Sequence, residues 1–471
     1  MSKDWGHITA QEILSPIGAT WISGNLQAIL TGISTDSRSI RPGECFWALE
    51  GDRYDGHDFA GQAIQQGASA VVIQPDRFGD EIEREAVVVI AVEDTRKALG
   101  DLAAWWRREH RVQVVAVTGS AGKTTTKEMA AAILEQAHRT LRNPGNLNNL
   151  IGLPLTLLRL EGVHQRAVLE MGMNRPGEIL RLTEIADPDV GVITNVGMAH
   201  LEGVGDVEGV AKAKVELLEK VSPRAKVVLN GDDERLMRAA APFKREGLTF
   251  GMGRRNDVRA KKIQDLGGEG IAFELVCPAG SVDVRLQPAG LQNVLNALAA
   301  ASAGFCLDEP LERVAEGLGR FSGMRGRFDI IALKGGATLV DDTYNSNPLS
   351  LRAALNSIQS LVEKEGRIIV ALGEMMELGA ATVSAHREAG RWVGELRPHH
   401  FLAIGEHAQD MLEGAAESGM PPYRIEAVET QSEMQEKIKE KMRQGDLIFL
   451  KGSRKMGLDK VVQALKGFGR I

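Results

Sequence analysis

With 471 residues the chain exceeds the roughly 250–300 residues at which a single hydrophobic core stops growing, so two or three domains are expected. A formal net charge of −7 argues against nucleic acid as a partner, because such surfaces call for a basic patch or stripe. Cys45, Cys277 and Cys306 are scattered and indicate neither a disulfide framework nor a thiolate zinc site. No stretch approaches the roughly 20 apolar residues of a membrane span, and MSKDWGHITAQEIL lacks the pattern of an export signal. A cytoplasmic protein is therefore expected.

Three domains emerge in chain order. Residues 1–110 alternate short strands with turn clusters, as in GISTDSRSIRPGECFWALEGDRYDGHDF, then give an amphipathic helix near 60–67 and the strand SAVVIQP, a small mixed α/β unit. From Arg111 the apolar runs VQVVAVTG, RAVLEMG, VGVITNV and AKVVLN have the length of strands buried on both faces, which predicts a doubly wound parallel sheet over 111–325. The alternating segments LTFG, DVRAKKI, IAFELV and VDVRLQ predict an antiparallel appendix to it, followed by the helices LQNVLNALAAASAG and PLERVAEGL. The glycine-rich, basic FSGMRGRF reads as a linker. Beyond it, TLVDDT, GRIIVALG, HHFLAIG and DLIFLKGS predict a second open, Rossmann-like α/β sheet over 326–471.

The clearest chemical signal follows the strand VVAV. Gly119, Ser120, Ala121, Gly122, Lys123, Thr124 and Thr125 lead into the helical segment KEMAAAILEQA. Consecutive backbone N–H groups at such a helix start cradle phosphate oxygens. The two glycines admit close backbone approach, Lys123 reaches the outer phosphates, and the Thr124 hydroxyl can hold Mg²⁺. The glycine spacing is shorter than in the common form of this loop, with Val117 where the first glycine would stand. ATP is the expected ligand.

Two further strands end in groups able to meet a metal: RAVLE at Glu170, and VGVITNV, which leads through a short turn to His200. Ligands collect outside the carboxyl ends of strands in such sheets, although a lone strand-end Glu or His also serves as an ordinary loop residue. In EGVAKAKVELLEK, Glu208, Lys212, Glu216 and Glu219 form a solvated row at i, i+4 spacing, whereas Lys214 falls on the apolar side with Ala211, Leu217 and Leu218. Two readings stay open there. The stem either snorkels to water, or the desolvated amine loses its proton and takes up carbon dioxide to become an anionic, metal-binding carbamate.

This combination resembles the Mur ligase family, ATP-dependent amide-bond-forming enzymes of peptidoglycan precursor synthesis, over nearly the whole chain. The resemblance implies that Lys214 is carbamylated at a Mg²⁺ site and that Glu170 and His200 are metal-associated. DSRSIRPGECFWALEGDRYDGHDF looks like the family's UDP-binding N-terminal unit, with Ser37, Arg38, Asp55, Gly56 and His57 as contacts. NPGNLNNLIGLPLTLL, DDTYNSNPLSLRAAL and LGEMMELG are similar to the members that add a dipeptide, and no DNPR-type motif of the diamino-acid-adding members is found.

The implied partners are UDP-N-acetylmuramoyl-tripeptide and D-alanyl-D-alanine, joined through an acyl phosphate by a chain expected to be a monomer. Asn148, Asn149, Asn345 and Asn347 are implied substrate contacts, though Asn347 before Pro348 also reads as a helix N-cap. Asn293, Arg327, Asp342 and Tyr344 are implied ATP contacts. Gln292 departs from the family, which usually carries His there. Lys451 and Arg454 suit a structural role as well as a substrate contact. Rival readings are a sister ligase of the same fold or a nucleotide-driven switch or motor.

Overall fold

The computed structural model describes residues 3–51, 53–77, 87–362 and 366–467. Its centre is a nine-stranded sheet. From one edge inward run Thr140–Arg142, Arg166–Glu170, Gln113–Thr118, Val190–Ile193, Lys226–Asn230, Gly247–Gly251 and Val258–Asp265, all pairing in parallel; Ile271–Cys277 and Gly280–Leu286 then add antiparallel. The appendix thus begins later than the sequence predicts. Gly247–Gly251 continues the parallel sheet, and only the pairings made by Ile271–Cys277 reverse direction.

Strand Gln113–Thr118 shows why apolar runs build this layer. Val114 and Ala116 enter the core on one face, while Val115 and Val117 enter the core on the other, as alternation of side chains along a strand requires. Each valine so buried contributes roughly 1.5–3 kcal/mol. The chain leaves this strand toward Thr140–Arg142 and Arg166–Glu170 on one side, then returns to build Val190–Ile193 on the other. The loop after Thr118 therefore sits at the point where strand order reverses, the place where such sheets bind ligands.

The N-terminal part carries a five-stranded sheet in the order Thr20–Ser23, Val88–Ala91, Ala70–Ile73, Cys45–Trp47 and Ile33–Ser34. A helix not anticipated from the sequence, Thr95–Glu109, is capped by Asp94, which accepts the Lys97 N–H at 2.9 Å. It anchors this unit to the middle sheet. Trp106 stacks on Trp5 with ring centroids 4.2 Å apart, and their indole N–H groups donate to the Leu160 and Leu158 carbonyls at 3.1 and 2.7 Å.

The C-terminal sheet has the order Asp329–Ala332, Thr338–Asp342, Leu447–Lys451, Ile368–Gly373, His400–Ile404 and Ile425–Val428, parallel except for the first pair. The linker turns at Gly323 and Gly326, with φ of 91° and 71°. Among the described residues no helix is long and apolar enough to cross a membrane.

Candidate active site

A cleft of about 1630 Å³ opens at the carboxyl ends of the middle strands, between the middle and C-terminal sheets. Its floor is the loop after Gln113–Thr118. Gly122 precedes the helix Lys123–Leu134 in the left-handed region, φ 81°, where an added Cβ would sit 2.2 Å from Asn296 Oδ1. At Gly119, φ 145°, an added Cβ would meet Thr194 Oγ1 at 1.9 Å. Glycine is needed at both positions because the neighbouring chain lies against the loop. Asn195 braces the loop as well: its Oδ1 accepts the Ala121 N–H at 2.8 Å and its Nδ2 donates to the Ala121 carbonyl at 3.1 Å. Lys123 folds back, Nζ donating to the Gly119 carbonyl at 2.8 Å. Burial lowers its amine below the usual lysine range, while the Glu170 carboxylate pulls the other way.

The three metal-capable groups differ in their partners. Glu170 is buried at the end of its strand; Oε1 accepts from Asn148 Nδ2 at 2.8 Å and Oε2 has no partner. His200 lies at φ 57° with Nδ1 2.6 Å from Oε2 of Glu377, a residue of the C-terminal part. That contact holds the Glu377 carboxyl below its ordinary range against the opposing effect of burial. Lys214 lies on the inner face of the helix Val207–Lys220, fully buried, with no partner for Nζ. Burial, reinforced by the nearby Lys123 charge, pushes its amine well below the ordinary lysine value. An unpaired ammonium is too costly there, so the neutral amine is favoured. Of the row read as solvated, Glu208 pairs with Arg235, but Glu216 accepts the Gly177 and Leu180 N–H groups at 2.7 and 3.1 Å and secures the start of the helix Glu178–Ala186.

From the C-terminal side, Asn347 both caps and docks. Its Oδ1 accepts the Ser350 N–H at the start of Pro348–Ile358, and its Nδ2 donates 3.1 Å to the Ser120 carbonyl in the phosphate loop. The Arg327 guanidinium lies 4.2 Å from the Tyr344 ring centroid, a cation–π stack at the cleft wall. Lys451 is buried at the cleft wall: Nζ meets Asp342 Oδ2 at 2.6 Å and the Asn345 carbonyl at 3.0 Å. Burial raises the Asp342 carboxyl and the Lys451 charge opposes it. Asn293 is buried with Nδ2 on the Ala289 carbonyl at 2.7 Å, and Asn149 Oδ1 accepts the Gly152 N–H at 2.8 Å.

The cleft therefore gathers Ser120 to Thr125, Asn148, Asn149, Glu170, His200, Asn293, Arg327, Asp342, Tyr344, Asn345 and Asn347. Lys214 lies outside its lining. Ser37, Arg38, Asp55, Gly56 and His57 also lie outside the lining, in turns of the N-terminal unit. Their side chains are paired with one another or their neighbours: Ser37 Oγ donates to Gln62 at 2.9 Å, Arg38 forks onto Asp36, and His57 bridges Asp55 Oδ1 at 2.5 Å and the Gln74 N–H at 3.1 Å. Glu50 and Arg96 reach the cleft from the same part. Sequence reading missed Arg96, Asn195 and Glu377. The polar position in TNVGMAH, two residues beyond the strand Val190–Ile193, was the signal available for Asn195.

These features define a nucleotide-binding α/β enzyme whose phosphate loop faces a second open sheet. Family models match along the chain: the "Mur ligase family, catalytic domain" at 29–107, the "Mur ligase middle domain" at 117–304 and the "Mur ligase, glutamate ligase domain" at 326–454. The chain belongs to the Mur ligase family. It is 36% identical over 453 residues to the UDP-N-acetylmuramoyl-tripeptide--D-alanyl-D-alanine ligase of Escherichia coli K12, covering 95% of this chain and 97% of the relative. To the Bacillus subtilis 168 protein of the same name it is 34% identical, covering 93% and 94%. Among solved structures it is similar to MurF from Acinetobacter baumannii, with TM-score 0.89, 35% identity and coverage of 99% and 100%. It is also similar to MurF ligase from Thermotoga maritima in complex with ADP, with TM-score 0.82, 28% identity and coverage of 93% and 97%.

Proposed function

We infer that the chain is an ATP-dependent amide-bond-forming ligase that joins D-alanyl-D-alanine to UDP-N-acetylmuramoyl-tripeptide, forming the pentapeptide precursor, ADP and phosphate. The observation that carries this is the near-full-length likeness to ligases of that name. The cleft's chemistry agrees with it. ATP phosphorylates the tripeptide's terminal carboxylate; the dipeptide amine then attacks the acyl carbon, phosphate leaves and the amine loses a proton.

The first step brings two anions together, and the loop N–H groups with Lys123 neutralise the phosphate side. Thr124 and Glu170 would hold one Mg²⁺, and His200 with carbamylated Lys214 a second. The fit rests on the unpartnered Glu170 Oε2 and Lys214 Nζ. Among the described residues no cluster of three or more His, Cys, Asp or Glu side chains forms a metal site, which suits an ion that takes much of its shell from water and nucleotide phosphates. Mg²⁺ supplies charge neutralisation at the transferring phosphoryl group. The neutral Lys214 amine adds to the carbon of CO₂ and releases one proton, converting a buried neutral amine into an anion.

The three parts divide the labour: 1–110 holds the UDP-muramyl end through Ser37, Arg38 and the Asp55–Gly56–His57 turn, 111–325 holds ATP, and 326–471 brings Arg327, Asp342, Tyr344, Asn345 and Asn347 to nucleotide and dipeptide. Docking of the last part over the loop excludes water from the acyl phosphate.

The test is incubation of the enzyme with ATP and UDP-muramyl-tripeptide, adding D-alanyl-D-alanine, diaminopimelate or lysine. Phosphate release is expected only with the dipeptide. Release only with a single amino acid would make it a sister ligase, and turnover without any muramyl peptide would make it a switch or motor.

A further inference from the structure

We propose that Glu377 is a positioning residue, carried to the cleft by the C-terminal sheet, that engages the His200 imidazole at Nδ1 and leaves Nε2 for an ion. The middle sheet's ion-binding set is then fully oriented only when the two sheets are docked. The inference rests on the metal role given above to His200.

Four observations carry it. Glu377 Oε2 stands 2.6 Å from His200 Nδ1, an ion-pair contact too bent for a regular hydrogen bond, although 177 positions separate the two residues in sequence. Both residues sit in the left-handed backbone region, with φ of 63° and 57°. Non-glycine residues are held there only when their surroundings fix them. The two turns also meet through their backbones: the Glu202 N–H donates to the Glu377 carbonyl at 3.2 Å, and an added Cβ on Gly379 would stand 3.4 Å from Glu202 Cα.

The loop that bears Glu377 is itself pinned on the C-terminal side. The Met375 N–H donates to His386 Nε2 at 2.9 Å and the Met376 N–H to Ser453 Oγ at 3.0 Å. The Ser453 N–H returns a bond to the Glu374 carbonyl at 2.9 Å, and Glu374 Oε1 accepts the His407 N–H at 2.8 Å. A carboxylate on so constrained a turn is aimed, not free. A carboxylate on the second nitrogen of a metal-binding imidazole fixes its tautomer and ring orientation and raises its basicity.

The probe is Mn²⁺ binding to the full chain in the presence of ADP, followed by the paramagnetic resonance of free Mn²⁺, for wild type, His200→Ala, Glu377→Ala, Glu377→Gln and the double variant His200→Ala/Glu377→Ala. Glu377→Ala is expected to weaken Mn²⁺ binding about 10–100-fold and to lower kcat with little change in KM for ATP. Glu377→Gln, which keeps an oxygen against the imidazole at Nδ1, should restore most of the affinity. The double variant should bind no more weakly than His200→Ala alone, since Glu377 acts through the imidazole. Additive losses, or wild-type affinity in a folded Glu377→Ala variant while His200→Ala is weakened, would overturn the inference alone. Unchanged affinity in His200→Ala would instead remove the metal reading of His200, and the inference with it.

Discussion

Glu170 and Lys214 near the phosphate loop and His57 of the Asp55–His57 turn are all buried, yet they are treated in opposite ways. In the N-terminal unit, His57 uses both ring nitrogens within the fold, and Asp55 is shared between His57 and Arg77. Near the loop, Glu170 Oε2 and Lys214 Nζ have no partner. The contrast holds even between lysines. Lys127, fully buried on the helix after the loop, donates to the Asn143 carbonyl at 2.7 Å and lies 2.8 Å from Glu128, whereas Lys214 has nothing to donate to. A buried polar atom without a partner costs roughly 1–3 kcal/mol, so leaving two beside the phosphate loop marks the place where stability yields to chemistry.

Substitutions should separate the two regions. Lys214→Ala is expected to give the largest effect, a loss of kcat on the order of 10²–10³-fold, as when a preorganised charge is removed from an active site, with thermal stability held or improved. Small carboxylates such as acetate should restore part of the activity, and full activity without rescue would break the contrast. His57→Ala should do the reverse, lowering unfolding free energy by about 1–3 kcal/mol while ATP affinity is unchanged in equilibrium binding.

Asn347→Ala removes a cap worth about 1 kcal/mol together with the bond to the Ser120 carbonyl. Scattering of the ATP-bound enzyme should then report looser docking of the C-terminal sheet. The smallest effect is one of pH. Burial pushes the His400 imidazole down to about 4, and His386 and His399 are lowered by burial too. Between that value and an unfolded value near about 6.5 the unfolded chain binds more protons. The histidine contribution to thermal stability should therefore be flat above about pH 6.5 and decline as pH falls toward about 4, less steeply in His400→Gln.

Much of this was legible in the sequence because the signals are local. Gly119 to Thr125 are contiguous, Glu170 ends an apolar run, His200 lies a short turn beyond another, and the position of Lys214 follows from helical period alone. Glu216 misled for the same reason: its i, i+4 partners describe its own helix and say nothing of the Gly177 turn packed against it. The Glu377–His200 contact and the bond between Ser357 Oγ and Gln292 Oε1 at 2.7 Å join residues far apart in sequence. No periodicity reports such pairs, because they arise only when two sheets dock. The late start of the antiparallel strands was hidden in a similar way, since Gly247–Gly251 alternates whichever direction its neighbour runs.

The most direct test of the buried, unpartnered amine is the carbon NMR spectrum of enzyme equilibrated with ¹³C-labelled bicarbonate. A protein-bound carbamate signal is expected in the wild type, absent in Lys214→Ala and lost when carbon dioxide is stripped, in step with activity. A fully active wild type without that signal, or a signal that persists in Lys214→Ala, would contradict the role given to Lys214.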